Sequence, residues 1–355
     1  MTTMKAARWY AAKDIRVEQA EIPTPAKGQV KVAVQYAGIC GSDLHEYVHG
    51  PQLIPLDKPY PLNGHQGVTT LGHEFSGIVE ELGEGVKNIK VGDRVVIEPI
   101  YKNFDSPFVA AGEYNLGEHL GFIGLSGNGG FAKYVVVEDY MIHKMPDTMS
   151  FEQGALVEPA AVAVYSVLQS GLKVGQTVLV SGAGPIGLLC AQAALAAGAS
   201  TVIVTDVAEK RLDKAREIGA THVFNAMEAD LPAKIKALTG GLGVNVFIDC
   251  AGVQASYNTG IDSTRNGGTA VLVALFGKPV QHDALNQVLR EITVKGVIAY
   301  RNIFPEVINL IDSGRMDVEK LVTNKISLDE IVTNGFEALV NNPEQVKVLI
   351  EINRA

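Results

Sequence analysis

At 355 residues, 47% of them hydrophobic and 19% charged, the chain is long enough to bury two sizeable cores. Its formal charge of −9 argues against nucleic acid or an anionic membrane as partner. No run approaches the roughly 18 apolar residues of a membrane helix. Met1-Thr2-Thr3-Met4-Lys5 lacks the apolar core of a signal peptide. The three cysteines, at 40, 190 and 250, form no disulfide framework, so a reducing cytoplasm is the expected home.

Residues 1 to about 155 read as mostly β. Short β-prone runs at 5–11, 30–37, 76–82, 93–98 and 131–137 are separated by turn signals such as Lys27-Gly28 and Gly83-Glu84-Gly85. That density of short strands predicts a partly open barrel. Residues 42–47 suit one helical turn, with Ser42 or Asp43 as its N-cap. Residues 49–70 form a long loop, a length that inside a compact domain is functional or disordered. Its histidines, His49 and His65, are read as facing solvent or lining a pocket rather than binding metal.

At Ser150-Phe151-Glu152-Gln153 a capping box opens an Ala/Val-rich helix reaching Leu172. From Thr177, strands near 177–181, 201–205, 222–225, 246–250 and 269–273 alternate with helical stretches. This alternation implies a parallel sheet covered on both faces, an α/β arrangement. Beyond about residue 290 the elements are mixed. Residues 292–298 and 346–352 are β-like, and 303–313 and 330–340 are helical.

Three places along this chain share one chemistry. Gly38-Ile39-Cys40-Gly41-Ser42-Asp43 supplies a cysteine. Leu71-Gly72-His73-Glu74-Phe75-Ser76-Gly77 sets a histidine and a carboxylate between glycines, and Leu156-Val157-Glu158-Pro159 adds a carboxylate inside an apolar run. One thiolate, one imidazole and carboxylates on separate elements make the ligand set of a zinc site that keeps a position open for substrate. Taken singly, Cys40 reads as a small buried hydrophobe and the His-Glu pair as coincidence. The flanking glycines, which let backbone turn tightly around the pair, change that reading.

The full pattern, Gly72-His73-Glu74, then Gly77, Gly83 and Val86, is the signature of the zinc-dependent medium-chain alcohol dehydrogenases, and the chain resembles that family. The resemblance implies a GroES-like, mostly β catalytic domain at 1–157 and a doubly wound Rossmann domain at 158–290. Residues 291–355 would return to the catalytic domain. It also implies a homodimer or homotetramer.

Val178-Leu179-Val180-Ser181-Gly182-Ala183-Gly184-Pro185-Ile186-Gly187 is a hydrophobic strand running into Gly-x-Gly-x-x-Gly and a helix. Gly182 would make the tight turn, Gly184 would admit a pyrophosphate, and Gly187 would let helix pack on strand. The second strand ends in Asp206, whose carboxylate accepts both ribose hydroxyls of NAD and repels a 2′-phosphate. Lys210 and Arg211 sit one turn into the next helix, where they would flank the adenine or face solvent, so NAD is favoured over NADP. Val273 and Leu275 complete the expected cofactor set. Cys190 and Cys250 read as packing residues.

Zinc on Cys40 and His73, with Glu158 or Glu74 completing the shell, would act as a Lewis acid on a carbinol oxygen while hydride passes to the nicotinamide. Ser42 is placed to take the proton, and His45 lies three residues on, about one helical turn. In the resembled family these positions form a relay through the nicotinamide ribose to bulk water. The bland alternatives are a helix cap for Ser42 and a surface residue for His45.

Within the family the chain is most similar to the butanediol (acetoin) dehydrogenase branch. Residues Cys40 to Tyr47, the loop Gly50-Pro51-Gln52-Leu53-Ile54-Pro55, and Tyr300-Arg301-Asn302-Ile303-Phe304-Pro305 carry this likeness. It implies a small diol or hydroxyketone substrate. Sorbitol (polyol) and threonine dehydrogenases share the Cys-Gly-(Ser/Thr)-Asp-x-His core and remain the alternative. A non-catalytic NAD-binding protein has no use for Cys40, Ser42, His73 and Glu158 together, and zinc-free quinone or enoyl reductases lack the Cys40 and His73 ligands.

Most zinc members of the family also carry a structural zinc on four cysteines. Here the aligned positions are Asn103, Ser106, Val109 and Gly117, none of them a thiolate. One zinc per chain is therefore expected. The lobe at 98–127 would be held instead by apolar contacts from Phe104, Phe108 and Val109, or by a neighbouring subunit.

Overall fold

The computed structural model describes residues 2–353. The chain divides into two compact units: Met1–Glu158, Phe304–Asp312 and Val322–Ala355 in the first, Pro159–Ile303 and Ser313–Leu321 in the second. The first opens with β1 (Thr3–Ala11), β2 (Asp14–Glu21), β3 (Gln29–Gly38), α1 (Gly41–His49), β4 (Thr69–Thr70), β5 (Glu74–Leu82) and β6 (Arg94–Ile97). It continues through the short α2 (Pro107–Ala110), β7 (Tyr134–Glu138), β8 (Ile142–Lys144), α3 (Phe151–Ala155) and the first residues of α4 (Val157–Gln169).

The second unit alternates strictly. Its elements are β9 (Thr177–Ser181), α5 (Pro185–Ala196), β10 (Thr201–Asp206), α6 (Glu209–Glu217), β11 (His222–Asn225), α7 (Leu231–Ala237), β12 (Val244–Asp249), α8 (Gln254–Ser263), β13 (Thr264–Leu272), α9 (Ala284–Leu289) and β14 (Thr293–Gly296). The chain then supplies the first unit with α10 (Phe304–Asp312), β15 (Val322–Ser327), α11 (Ala338–Asn341) and β16 (Lys347–Glu351).

In the first unit, β3 shows why these residues form a strand. Val30, Val32 and Val34 point into the core at every second position, as the period of an extended chain requires. β3 pairs with β5 on one side, and with β7 and then β16 on the other. The larger sheet runs β15-β16-β3-β5-β6-β8, and β2-β1-β4 forms a smaller one. Trp9, Phe75, Phe131 and Phe336 fill the core.

In the second unit every strand pair is parallel, in the order β11-β10-β9-β12-β13-β14. Val178, Leu179 and Val180 on β9 are all buried, which is what a strand covered on both faces needs. The order reverses between β9 and β12, and that switch point is where doubly wound sheets bind ligands. Among the described residues, no helix is long and apolar enough to cross a membrane.

Several expectations need correcting. The helix after β3 spans Gly41–His49 and is capped by Cys40, because Asp43 sits at its third position and accepts from the Cys40 amide at 2.9 Å. The helix expected to reach Leu172 ends at Gln169 and is interrupted at Leu156. The segment 330–340 passes through 3-10 and π turns before a single α turn. Residues 291–303 stay with the second unit, since β14 extends the parallel sheet beside β13, and Ser313–Leu321 returns to it. The tail thus reaches the first unit later than residue 291 and in two pieces.

Within one chain, the lobe at 98–127 does not draw on Phe104 and Phe108 as expected, although Val109 packs against Gly117. Phe104 and Phe108 are 67% and 41% exposed and supply no core. Instead the buried carboxylate of Glu98 accepts from Tyr114 at 2.5 Å and pairs with His143 at 2.9 Å. The Lys102 ammonium lies 4.0 Å from the Tyr114 ring centroid. Burial alone would raise the Glu98 pKa, but the His143 and Tyr114 hydrogen bonds and the Lys102 charge outweigh it and hold the carboxyl below its ordinary range.

Candidate metal centre and cofactor pocket

Strand register assembles the metal centre. Gly38, near the end of β3, lies opposite Glu74, the first residue of β5. The residues just beyond, Cys40 and His73, therefore flank the same end of the sheet. Gly72 turns with φ +95° against the Phe131 ring, a conformation and a close approach that only glycine permits. Ligand atoms of Cys40, His73 and Glu74 all lie within 4.8 Å of one another. Glu158, in the first turn of α4, is buried but stands outside that group.

Asp43 links helix to ligand. One carboxylate oxygen holds the Cys40 amide, and the other faces His73 Nδ1 at 3.5 Å. The second position of the imidazole, Nε2, lies 3.2 Å from Ser42 Oγ. A carboxylate behind a histidine fixes its ring and leaves the far nitrogen for a metal. Burial by itself would favour the neutral imidazole, but the Asp43 and Cys40 charges around it hold its pKa well above the ordinary value. Surroundings of this kind attract a cation. His73 Nδ1, Asp43 Oδ1 and Glu74 Oε1 are all buried without a hydrogen-bond partner. A thiolate, an imidazole and a carboxylate at this spacing fit zinc.

Ser42 is half-buried beside the ligand nitrogen, and His45, one turn further along α1, is exposed. His49 is exposed at the end of the same helix. His65 bonds Thr69 Oγ1 at 2.8 Å inside the loop, and burial lowers its pKa. That loop is ordered by a residue the sequence reading passed over. Glu46, 1% exposed, accepts from the backbone amides of Gln52 and Leu53 at 2.9 and 2.6 Å.

In the second unit a cavity of about 460 Å³ opens at the ends of β9, β10 and β12. Gly182, Gly184, Asp206 and Arg211 line it, and so do Thr205, Cys250 and Ser256. Gly182 turns with φ +93°, and a Cβ on Gly187 would strike the Gly182 carbonyl, so α5 packs directly on the turn. A Cβ on Gly184 would meet nothing within 4 Å, leaving that backbone open to a ligand. Pro185 and Ile186 open α5 but are not on the cavity wall, and neither are Gly187, Val273 or Leu275.

Asp206 accepts from the amides of Ala183 at 2.7 Å and Ala208 at 2.8 Å, which fixes its carboxylate while each oxygen keeps a lone pair for a hydroxyl. Arg211 Nε is buried without a partner in the same cavity. An open glycine turn at a helix start, a fixed carboxylate and a free guanidinium nitrogen fit a dinucleotide. Cys190 and Cys250 place their sulfurs 3.8 Å apart, and the hydrogen bond between them, with burial, pushes the Cys250 thiol up.

Residues 26–147 match the alcohol dehydrogenase GroES-like domain, and residues 185–313 match the zinc-binding dehydrogenase domain. The chain is 48% identical over 351 residues to the (R,R)-butanediol dehydrogenase of Bacillus subtilis (strain 168), covering 99% of this chain and 100% of that one. The crystal structure of 2R,3R-butanediol dehydrogenase from Bacillus subtilis superposes with a TM-score of 0.94 at 47% identity, covering 99% of this chain and 100% of that chain. Sorbitol dehydrogenase of Gallus gallus is 35% identical, over 96% of this chain and 94% of its own. With both domains matched and the ligand geometry in place, the chain belongs to the zinc-dependent medium-chain alcohol dehydrogenases.

Proposed function

We propose that this protein interconverts a vicinal diol and its hydroxyketone, 2,3-butanediol and acetoin first among them, with NAD(H) and one zinc ion per chain. The observation that carries the reading is the full-length likeness to a butanediol dehydrogenase, which exceeds the likeness to a sorbitol dehydrogenase. Zinc at the centre would supply Lewis-acid polarisation of the substrate oxygen. Cys40 and His73 hold it, with Glu74 or Glu158 as the further protein ligand, and Asp43 orients His73. Ser42 takes the carbinol proton and passes it towards His45 at the surface. Gly182 and Gly184 receive the pyrophosphate, and Asp206 selects the ribose of NAD over a 2′-phosphate.

A single zinc is favoured because Cys40, His73 and Glu74 are the only such ligand group among the described residues. Positions Asn103, Ser106, Val109 and Gly117 offer no thiolate. Self-association into a dimer or tetramer belongs to the same reading. Leu285, Val288 and Leu289, at 67–74% exposure just before the edge strand β14, give an apolar surface for it to cover. The cytoplasm is the proposed location.

NAD reduction with the stereoisomers of 2,3-butanediol, sorbitol and threonine tests the substrate. The (R,R) diol should give the highest kcat/KM. Sorbitol or threonine ahead of every butanediol isomer would move the protein to the polyol or threonine branch.

A further inference from the structure

Against the glycine turn of the second unit lies a pair of thiols that no step above uses. Cys250, just past β12, stands on the cavity wall, and Cys190 lies on α5 with no exposure at all. A thiol hydrogen bond joins their sulfurs at 3.8 Å. The third cysteine, Cys40, belongs to the first unit.

Both cysteines are built against the turn. A Cβ on Gly182 would come within 3.0 Å of the Cys250 carbonyl carbon, and the Cys250 amide donates to the Ser181 carbonyl at 2.8 Å. Cys190 comes about one helical turn after Gly187, which packs on the Gly182 carbonyl. A disulfide holds its sulfurs about 2.05 Å apart, so closing the pair draws them together by roughly 1.7 Å. An interior packed at crystal density passes such a movement to its neighbours. The neighbour here is Gly182, where the pyrophosphate would sit.

We propose that Cys250 and Cys190 form an oxidisable dithiol, a modification site for a peroxide, whose disulfide distorts the glycine turn and lowers cofactor affinity. The Cys250 thiolate attacks one peroxide oxygen. An S–O bond forms, the O–O bond breaks, and the released hydroxide takes up the proton that the thiol gave. The Cys190 sulfur then attacks the sulfenic sulfur and displaces its hydroxyl, which leaves with the Cys190 proton as a second water. Two thiols lose two electrons in all, and one peroxide becomes two waters. The Cys190 hydrogen bond and burial push the Cys250 thiol up, so the pair answers to sustained peroxide rather than traces. In a reducing compartment such a bond is transient.

The inference rests on the dinucleotide reading of the cavity, and the experiment separates the two. Reduced, zinc-loaded protein without cofactor is treated with hydrogen peroxide. Its non-reduced peptides are mapped by mass spectrometry, and NADH binding is followed by fluorescence titration. A link between Cys190 and Cys250 should appear, the Kd for NADH should rise about five-fold or more, and dithiothreitol should reverse both. Because the coupling is reciprocal and Cys250 is reached from the cavity, saturating NADH should slow the linking about five-fold or more. Cys190→Ala should give no link, and dimedone should label Cys250 in it, since the sulfenic acid then has no partner.

Cys190 is buried and its variant can fail to fold, but the parent decides the question without it. Peroxide that oxidises Cys40 and leaves Cys190 and Cys250 unlinked overturns the inference. So does a linked protein that binds NADH as the reduced one does, or a link that forms equally fast with NADH bound. A reduced parent that binds no NADH instead overturns the dinucleotide reading, and the peptide map still decides whether the dithiol exists.

Discussion

Replacing Glu98 by alanine tests how the lobe at 98–127 is held. The change removes the acceptor for Tyr114, which is 5% exposed, and for His143, whose side chain is 23% exposed. His143 can turn to water, but the Tyr114 hydroxyl is left buried. Losing charge-assisted hydrogen bonds and stranding one donor costs about 2–4 kcal/mol. At about 2–4 °C per kcal/mol for a domain of this size, the melting temperature should fall by roughly 5–15 °C.

Glu98→Gln keeps the shape and loses the charge, and should fall less. Because the Glu98 pKa is lowered on folding, its contribution is present above the unfolded value of about 4.3 and is lost as pH falls through the folded value. The gap between parent and Glu98→Gln should therefore close below about pH 4. Differential scanning fluorimetry across pH, with zinc content measured in parallel, reads both effects. A shift under about 2 °C for Glu98→Ala would refute the staple, given the size expected from its hydrogen bonds. Loss of a second zinc equivalent in that variant would refute the single-metal reading as well.

Asp206→Ala should narrow the preference for NAD over NADP, read as the ratio of kcat/KM values; equal use of both cofactors by the parent would sink the assignment. Ser42→Ala should lower kcat about 100-fold or more with zinc retained, in line with loss of a proton-transfer group. His45→Ala should cost less, because water reaches that end; normal turnover in Ser42→Ala would leave Ser42 a helix residue only. Zinc affinity should climb with pH from about 6.5 upwards, since Cys40 and His73 must shed protons to bind it and the raised His73 pKa extends the window. A competition titration that is flat across that range would contradict the donor set.

Patterns confined to one stretch of chain were legible. The alternating valines of β3, the unbroken apolar run of β9 and the glycine turn at 182–187 each announce themselves locally, and the structure places all three as read. Strand β2 was missed because DIRVEQAE is charged and half-exposed, paired only with β1. Lys347 was invisible for a different reason. A lysine in a β-like run reads as solvent-facing, and nothing near it in sequence reveals its ion-pair partner Glu74, which lies 273 positions away. The ligand trio was readable only through the glycines around His73, and Glu158 gave no local sign that it would stand apart from that trio. Glu98 had no such flag: its partners come from the 3-10 turn at Tyr114–Leu116 and from β8, and only the fold unites them.

The returning tail gives the protein an order of birth. The Ile39 carbonyl and the Lys347 ammonium that binds it are 308 positions apart. At about 5–20 residues per second, a ribosome takes roughly 15–60 s to cover that distance. Throughout that interval the end of β3, from Tyr36 to Gly38, lacks its β16 neighbour and presents an open strand edge beside Cys40. The strands β9 to β14 meanwhile emerge as a complete sheet and can fold as a domain. The second unit, closed by Ser313–Leu321, is thus synthesised in full before β16 completes the first. A nonsense codon just ahead of Lys347 would spare the glycine turn and its cavity, yet disarm a metal centre encoded near the other end of the message.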